Sequence, residues 1–114
     1  MFLTLLKSKI HMGALTSSEL NYMGSIAICP DLMSASGILL HEKVQVINAD
    51  NGNRFETYVI EGEKGEIGLR GPAARLGKIG DKVIILSYAM LTPDEAASFK
   101  PKIVLPDEKN TPRP

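Results

Sequence analysis

Val44-Gln45-Val46-Ile47-Asn48-Ala49-Asp50-Asn51-Gly52-Asn53-Arg54-Phe55-Glu56-Thr57-Tyr58-Val59-Ile60 is the stretch that decides the fold. Two runs rich in branched and aromatic residues flank Asp50-Asn51-Gly52-Asn53, and Asn-Gly supplies the positive φ angles of a tight hairpin turn. Strands over 44–48 and 54–60 follow. By the two-residue period, Arg54, Glu56 and Tyr58 share one face of the return strand, and Phe55, Thr57 and Val59 share the other. Twist or a bulge in that strand can still bring Thr57 and Tyr58 to one site.

The same texture runs outward in both directions. Residues 2–6 read as a first strand, and Lys9-Ile10-His11, if extended, projects Lys9 and His11 from one face. Thr16-Ser17-Ser18-Glu19 has the form of a capping box and predicts a single helical turn. Leu20-Asn21-Tyr22-Met23-Gly24-Ser25-Ile26-Ala27-Ile28 reads as a strand. Residues 30–37 read as a short helix with Pro30 in its first turn and Gly37 at its end. Gly62, Gly65, Gly68, Gly71, Gly77 and Gly80 punctuate short strands, and 81–88 is an apolar, buried strand. A Thr92 N-cap with Pro93 and acidic residues behind it predicts a short helix over 92–98. Residues 102–105 form a last strand, and 107–114 read as a frayed tail. Many short strands, little helix and glycine or Asn-Gly punctuation predict a mainly β single domain over 1–114, a small closed barrel.

Composition narrows the function classes. The 114 residues carry 13 basic and 13 acidic side chains, so net charge is zero and a polyanionic partner such as nucleic acid has no electrostatic support. Hydrophobic residues at 44% and charged residues at 23% fit a chain that folds rather than a disordered one. Cys29 is the single cysteine, and His11 and His41 are far apart, which excludes a disulfide framework and leaves no metal-ligand spacing. The apolar start at 2–6 is too short for a signal segment, its lysine follows rather than precedes it, and no run reaches membrane-spanning length. A soluble, cytoplasmic protein is the expectation, with no membrane partner.

Gly24-Ser25 is the only Gly-Ser pair in the chain. Without a Cβ at residue 24 the backbone can strain, and the Ser25 hydroxyl can approach the Gly24 carbonyl carbon. An N→O acyl shift then gives an ester. β-Elimination cuts the chain, and hydrolysis of the resulting dehydroalanine releases ammonia and leaves a pyruvoyl group on residue 25. Most Gly-Ser pairs are plain turns, so this chemistry needs support from its surroundings.

That support is an ordered set. Lys9-Ile10-His11, Tyr22-Met23-Gly24-Ser25, the run Asn51 to Tyr58, Gly71-Pro72-Ala73-Ala74 and Gly80-Asp81-Lys82-Val83-Ile84-Ile85 occur in the order and spacing of the aspartate 1-decarboxylases, which the chain resembles over about residues 1–105. Taken singly, each of these residues is an ordinary surface or wall residue. The resemblance implies a six-stranded double-psi β-barrel with short helices, assembled as a homotetramer with active sites between subunits. It implies self-cleavage between Gly24 and Ser25 into a β chain of 1–24 and an α chain of 25–114, and a pyruvoyl cofactor made from Ser25. The implied reaction is decarboxylation of L-aspartate to β-alanine for pantothenate synthesis, the pyruvoyl carbonyl joining the substrate amine as a Schiff base and accepting the electrons.

By the same resemblance Tyr58 donates the proton to Cα, and Lys9 and Arg54 hold the carboxylate that stays. Thr57 is a polar contact to substrate, Gly71, Pro72 and Ala73 form the substrate-binding turn, and His11 has a secondary place near the site. Two positions depart from the family's usual Asn-Gly-Ala-Ala. Arg70 stands for the amide, adding charge and donors without an acceptor. Pro72 removes an N–H, although as the first residue of a helical turn it would lose nothing. Two other readings stay open: a precursor that matures poorly, and a non-catalytic small-barrel binding module.

Overall fold

The computed structural model describes residues 1–114, folded as eight strands with two short helices and one 3-10 segment. The hairpin forms as its turn chemistry dictates: β4 (Lys43–Asn48) and β5 (Arg54–Glu61) pair antiparallel with Ile47 opposite Arg54, and Gly52 takes φ 79° in the turn. β1 (Leu3–Ala14) and β7 (Lys82–Leu91) form a long antiparallel pair, and β7 also pairs with β4. β8 (Lys102–Val104) adds in parallel to β1. On the far side of β5, β3 (Ser25–Ile28) pairs in parallel, followed by β6 (Ile67–Arg70) antiparallel to β3, and by β2 (Ser17–Glu19) parallel to β6. The strand order is thus β2-β6-β3-β5-β4-β7-β1-β8, a mixed sheet in a β-rich fold.

One face of this sheet makes the core. Ile10, Ile85, Val46, Val44, Val59, Ile26, Ile28 and Ile67 are each at most 1% exposed. Each fully buried aliphatic side chain contributes about 1.5–3 kcal/mol. β3 and β6 are buried along their whole length, as central strands are. α1 (Pro30–Ser36) begins with its proline and ends at Gly37 in the left-handed region, φ 76°, burying Leu32. α2 (Pro93–Ala96) carries a complete capping box between Thr92 and Glu95.

Four expectations are corrected. Residues 16–19 make no helical turn; 17–19 are strand β2, and the hydroxyls bond sideways, Thr16 Oγ1 to the Ile67 backbone and Ser17 Oγ to Glu66 Oε2 at 2.7 Å. Of the strand read over 20–28, only 25–28 is in the ladder; 20–24 loops out. The strand count is eight rather than six, β2 and β8 being short additions of three residues each. The segment 107–114 is not frayed where Asn110 sits. Its side chain, 1% exposed, donates to the carbonyls of Ala14 and Gly65 and accepts from Ala14 N–H, each at 2.9 Å. Asp107 accepts from the N–H groups of Lys109 and Thr111, and Arg113 N–H donates to the Leu105 carbonyl.

Candidate active site

β3 starts at Ser25, whose side chain is fully buried and whose hydroxyl lies 3.4 Å from the Met23 carbonyl. Gly24, just before it, opens onto a cleft of about 400 Å³ walled by Thr57 and Tyr58 of β5 and by Pro72 and Ala73 of the 3-10 segment Gly71–Leu76. The Ile26–Val59 pairing puts the start of β3 beside Tyr58. Pro72 occupies the first turn of the 3-10 segment, where no N–H partner is lost. Gly71 takes φ 68°, and a Cβ there would come within 2.8 Å of Gly24 N and Cα. The turn and the Gly-Ser pair therefore touch through backbone, and glycine is required on both counts.

The cleft brings together Gly24, Thr57, Tyr58, Pro72 and Ala73, with Ser25 and Gly71 adjoining. Tyr58 is partly exposed, its ring edge-on to His41 at 6.4 Å between centroids, and Glu56 at the rim pairs with Lys43 at 3.1 Å.

Lys9, Arg54 and His11 are not in this cleft. The row Lys9, Leu86, Gln45, Glu56 crosses four neighbouring strands on the face away from the core. At strand spacings near 4.8 Å, Lys9 and Glu56 in that row are roughly 14 Å apart. Arg54 and Tyr58 are four positions apart on β5, roughly 13 Å at the rise of an extended chain. Neither Lys9 nor Arg54 takes part in any of the four ion pairs. Arg54 Nη1 instead donates to Gln45 Oε1 at 3.3 Å, and the same oxygen accepts from Tyr88 Oη at 2.7 Å. Gln45 and Tyr88 escaped the sequence reading, although the alternation Val44-Gln45-Val46 already puts Gln45 on the Arg54 face. At His11 the β1–β7 register breaks between Ile10 and Gly13 and Met12 turns to φ 66°, so simple alternation ends there. His11 Nδ1 is buried with no hydrogen-bond partner.

Arg70 is 9% exposed and neutralised. Its Nη2 lies 2.6 Å from Glu66 Oε2, its Nη1 donates to Ser17 Oγ at 2.9 Å, and its Nε is 3.9 Å from Glu19 Oε2. Burial pushes the Glu66 carboxyl up, but bonds from the Glu63 N–H, Ser17 and Arg70, with the arginine's charge, outweigh it and hold the group below its usual range. The positive charge that the sequence adds at position 70 is therefore held within the fold.

A small mixed-sheet protein with a Gly-Ser pair, its serine buried, at a tyrosine- and threonine-walled cleft, and with Lys9 and Arg54 unpaired on the adjoining sheet face, is the class these features define. The chain belongs to the aspartate decarboxylase family, whose model matches residues 1–113. It is 57% identical over 112 residues to the aspartate 1-decarboxylase of Campylobacter jejuni, covering 97% of this chain and 89% of that one. It is 55% identical over 112 residues to the aspartate 1-decarboxylases of Caldicellulosiruptor bescii (96% and 88% covered) and Acetivibrio thermocellus (96% and 89%).

Proposed function

We propose that this chain is a pyruvoyl-dependent aspartate 1-decarboxylase, converting L-aspartate to β-alanine and carbon dioxide for pantothenate biosynthesis, with residue 25 as the source of the pyruvoyl group. Family membership supports the reaction. The observation that carries the assignment to residues is the cleft in which Gly24 faces Tyr58, Thr57, Pro72 and Ala73. Cleavage of the Gly24–Ser25 bond gives chains 1–24 and 25–114 and puts the new chain start at that cleft wall. The pyruvoyl carbonyl supplies the electron sink for loss of carbon dioxide.

The chain's own groups do the rest. Tyr58 holds a proton at Oη for the substrate Cα, and the Thr57 hydroxyl is a polar contact to substrate. The turn Gly71-Pro72-Ala73 offers backbone groups at the opposite wall. Arg54 and Lys9 take the carboxylate that is retained, the guanidinium in a bidentate pair. The departing carboxylate is left without a cation, since a salt bridge there would stabilise the ground state. His11 lies two residues after Lys9 on β1.

Lys9 and Arg54 of one protomer lie outside its own Gly24–Tyr58 cleft, and the Arg54 guanidinium is turned to Gln45. The reading therefore includes an assembly in which one copy's Lys9–Arg54 face meets another's cleft, a homotetramer in the cytoplasm. It includes closure of the sheet into a double-psi barrel; the parallel pairs β1–β8, β2–β6 and β3–β5 set among antiparallel ones favour it.

Intact mass under denaturing conditions tests the assignment. Wild type is expected as two species, 1–24 and 25–114, the larger lighter than a serine-started chain by ammonia, and Ser25→Ala as one whole, inactive chain. Equal β-alanine production by wild type and Ser25→Ala would falsify it.

A further inference from the structure

β2 ends at Glu19 opposite Arg70, and β3 begins at Ser25 opposite the same Arg70. The loop 20–24, which carries the bond to be cut, thus leaves the sheet and returns to it at one residue. The Arg70 guanidinium reaches the loop itself: its carbon lies 5.8 Å from the centroid of the Tyr22 ring, within cation–π range. From below, Glu66 and Ser17 fix the guanidinium, and Glu19 approaches its Nε. Arginine suits this place because its planar fork can bond carboxylates along its edge while a ring lies over its face. Gly71 then brings the next backbone unit against Tyr22 and Gly24.

We infer that Arg70 is a positioning residue for maturation: anchored by Glu66, it holds the loop 20–24 through the Tyr22 ring so that the Gly24–Ser25 bond stays in its reactive arrangement. This rests on the self-cleavage reading above. Besides this contact and the Gly71 backbone, the loop has few ties, the Ser25 hydroxyl donating to the Met23 carbonyl at 3.4 Å. Tyr22 N–H bonds only to Leu20 two residues back, and Leu20, Asn21, Tyr22 and Met23 are all exposed. Once the bond is cut the clamp has no further task, so decarboxylation per cleaved chain does not depend on it.

The test compares Tyr22→Leu, Tyr22→Phe and Arg70→Met, with Glu19→Gln as a mild fourth variant, in two measurements. Hydrogen exchange of loop 20–24 is read in the uncleavable Ser25→Ala background, and the first-order cleavage rate in the Ser25 background by intact mass. Tyr22→Leu is expected to speed loop exchange and slow cleavage roughly two- to fivefold, the range a cation–π contact at an exposed ring accounts for. Tyr22→Phe, which keeps the ring, should cleave like wild type, and β-alanine output per cleaved chain should be unchanged throughout. Tyr22 is solvent-exposed, so its variants stay informative even where Arg70→Met, which strands Glu66, unfolds. Wild-type cleavage and exchange in Tyr22→Leu overturn the inference, as does equal slowing by Leu and Phe. A wild-type chain that never cleaves overturns the maturation role along with the reading beneath it. The exchange contrast, read without cleavage, shows whether the clamp itself failed.

Discussion

Gly71 and Gly52 both have positive φ, 68° and 79°, yet they stand in different surroundings. A Cβ on Gly52 meets nothing within 4 Å, whereas one on Gly71 would lie 2.7 Å from the Tyr22 carbonyl oxygen and 2.8 Å from Gly24 backbone atoms. Gly52→Ala should therefore lose only backbone strain, about 1 kcal/mol, while Gly71→Ala loses more, toward 3 kcal/mol, and also slows cleavage by pushing on the scissile residue. Urea unfolding of both variants in the Ser25→Ala background gives the comparison, and equal losses would mean that contact with the loop does not matter. Tyr58 separates the two chemistries at the same cleft. Tyr58→Phe keeps the ring beside Gly24 and removes the proton, so β-alanine formation per cleaved chain should fall roughly 10²- to 10⁴-fold. Full activity in that variant would remove Tyr58 from the proton-donor role.

The hairpin and the 3-10 segment Gly71–Leu76 are tied together by amides. Asn48 at the end of β4, 1% exposed, donates to Asp81 Oδ2 at 2.8 Å and to the Leu76 carbonyl at 3.2 Å, and Asn51 and Asn53 donate to that same carbonyl. The Asn48 amide and then the Lys78 N–H hold the Asp81 carboxyl below its usual range against the effect of burial. A carboxyl lowered in the folded state adds stability that is complete above its unfolded pKa and disappears as pH falls through the folded value. The stability gap between wild type and Asp81→Asn should hold steady from neutrality to about pH 5 and narrow below about pH 4. Denaturant curves at several pH values check this, and a gap as wide at pH 3 as at pH 7 would contradict it. The Asn-Gly hairpin and the Thr92 N-cap were legible because turn and cap chemistry acts between near neighbours. Residues 16–19 carry the same cap pattern, but their hydroxyls find β6 about fifty positions later, which no local pattern announces. Asn110 likewise looks like a tail residue until Ala14 and Gly65 supply its partners. At the site, the residue types were readable as an ordered set. Arg54 shares β5 with Tyr58, but the distance of Lys9 from the cleft depends on the order β5-β4-β7-β1, and only the assembled sheet fixes that.

That division has a consequence for the whole molecule. The face bearing Lys9, Gln45 and Arg54 also carries exposed Tyr88 and Met90, and while Lys43 there pairs with Glu56, Lys9 and Arg54 lack carboxylate partners. Apolar side chains around unpaired charge fit a surface completed by another copy, and the zero net charge offers little repulsion to association. If each site joins one copy's Lys9–Arg54 face to another's Gly24–Tyr58 cleft, two defective chains can repair each other. Arg54→Ala and Tyr58→Phe should each be nearly inactive as pure oligomers while still cleaving. Coexpressed, mixed oligomers contain some interfaces where an intact Arg54 faces an intact Tyr58, and those interfaces should recover decarboxylation. Purification through two different tags isolates the mixed species, and light scattering gives their mass, expected at four chains. A mixed oligomer no more active than its parents would place both residues of each site in a single protomer, and the Arg54 side chain would then have to leave Gln45 and turn along β5 toward Tyr58.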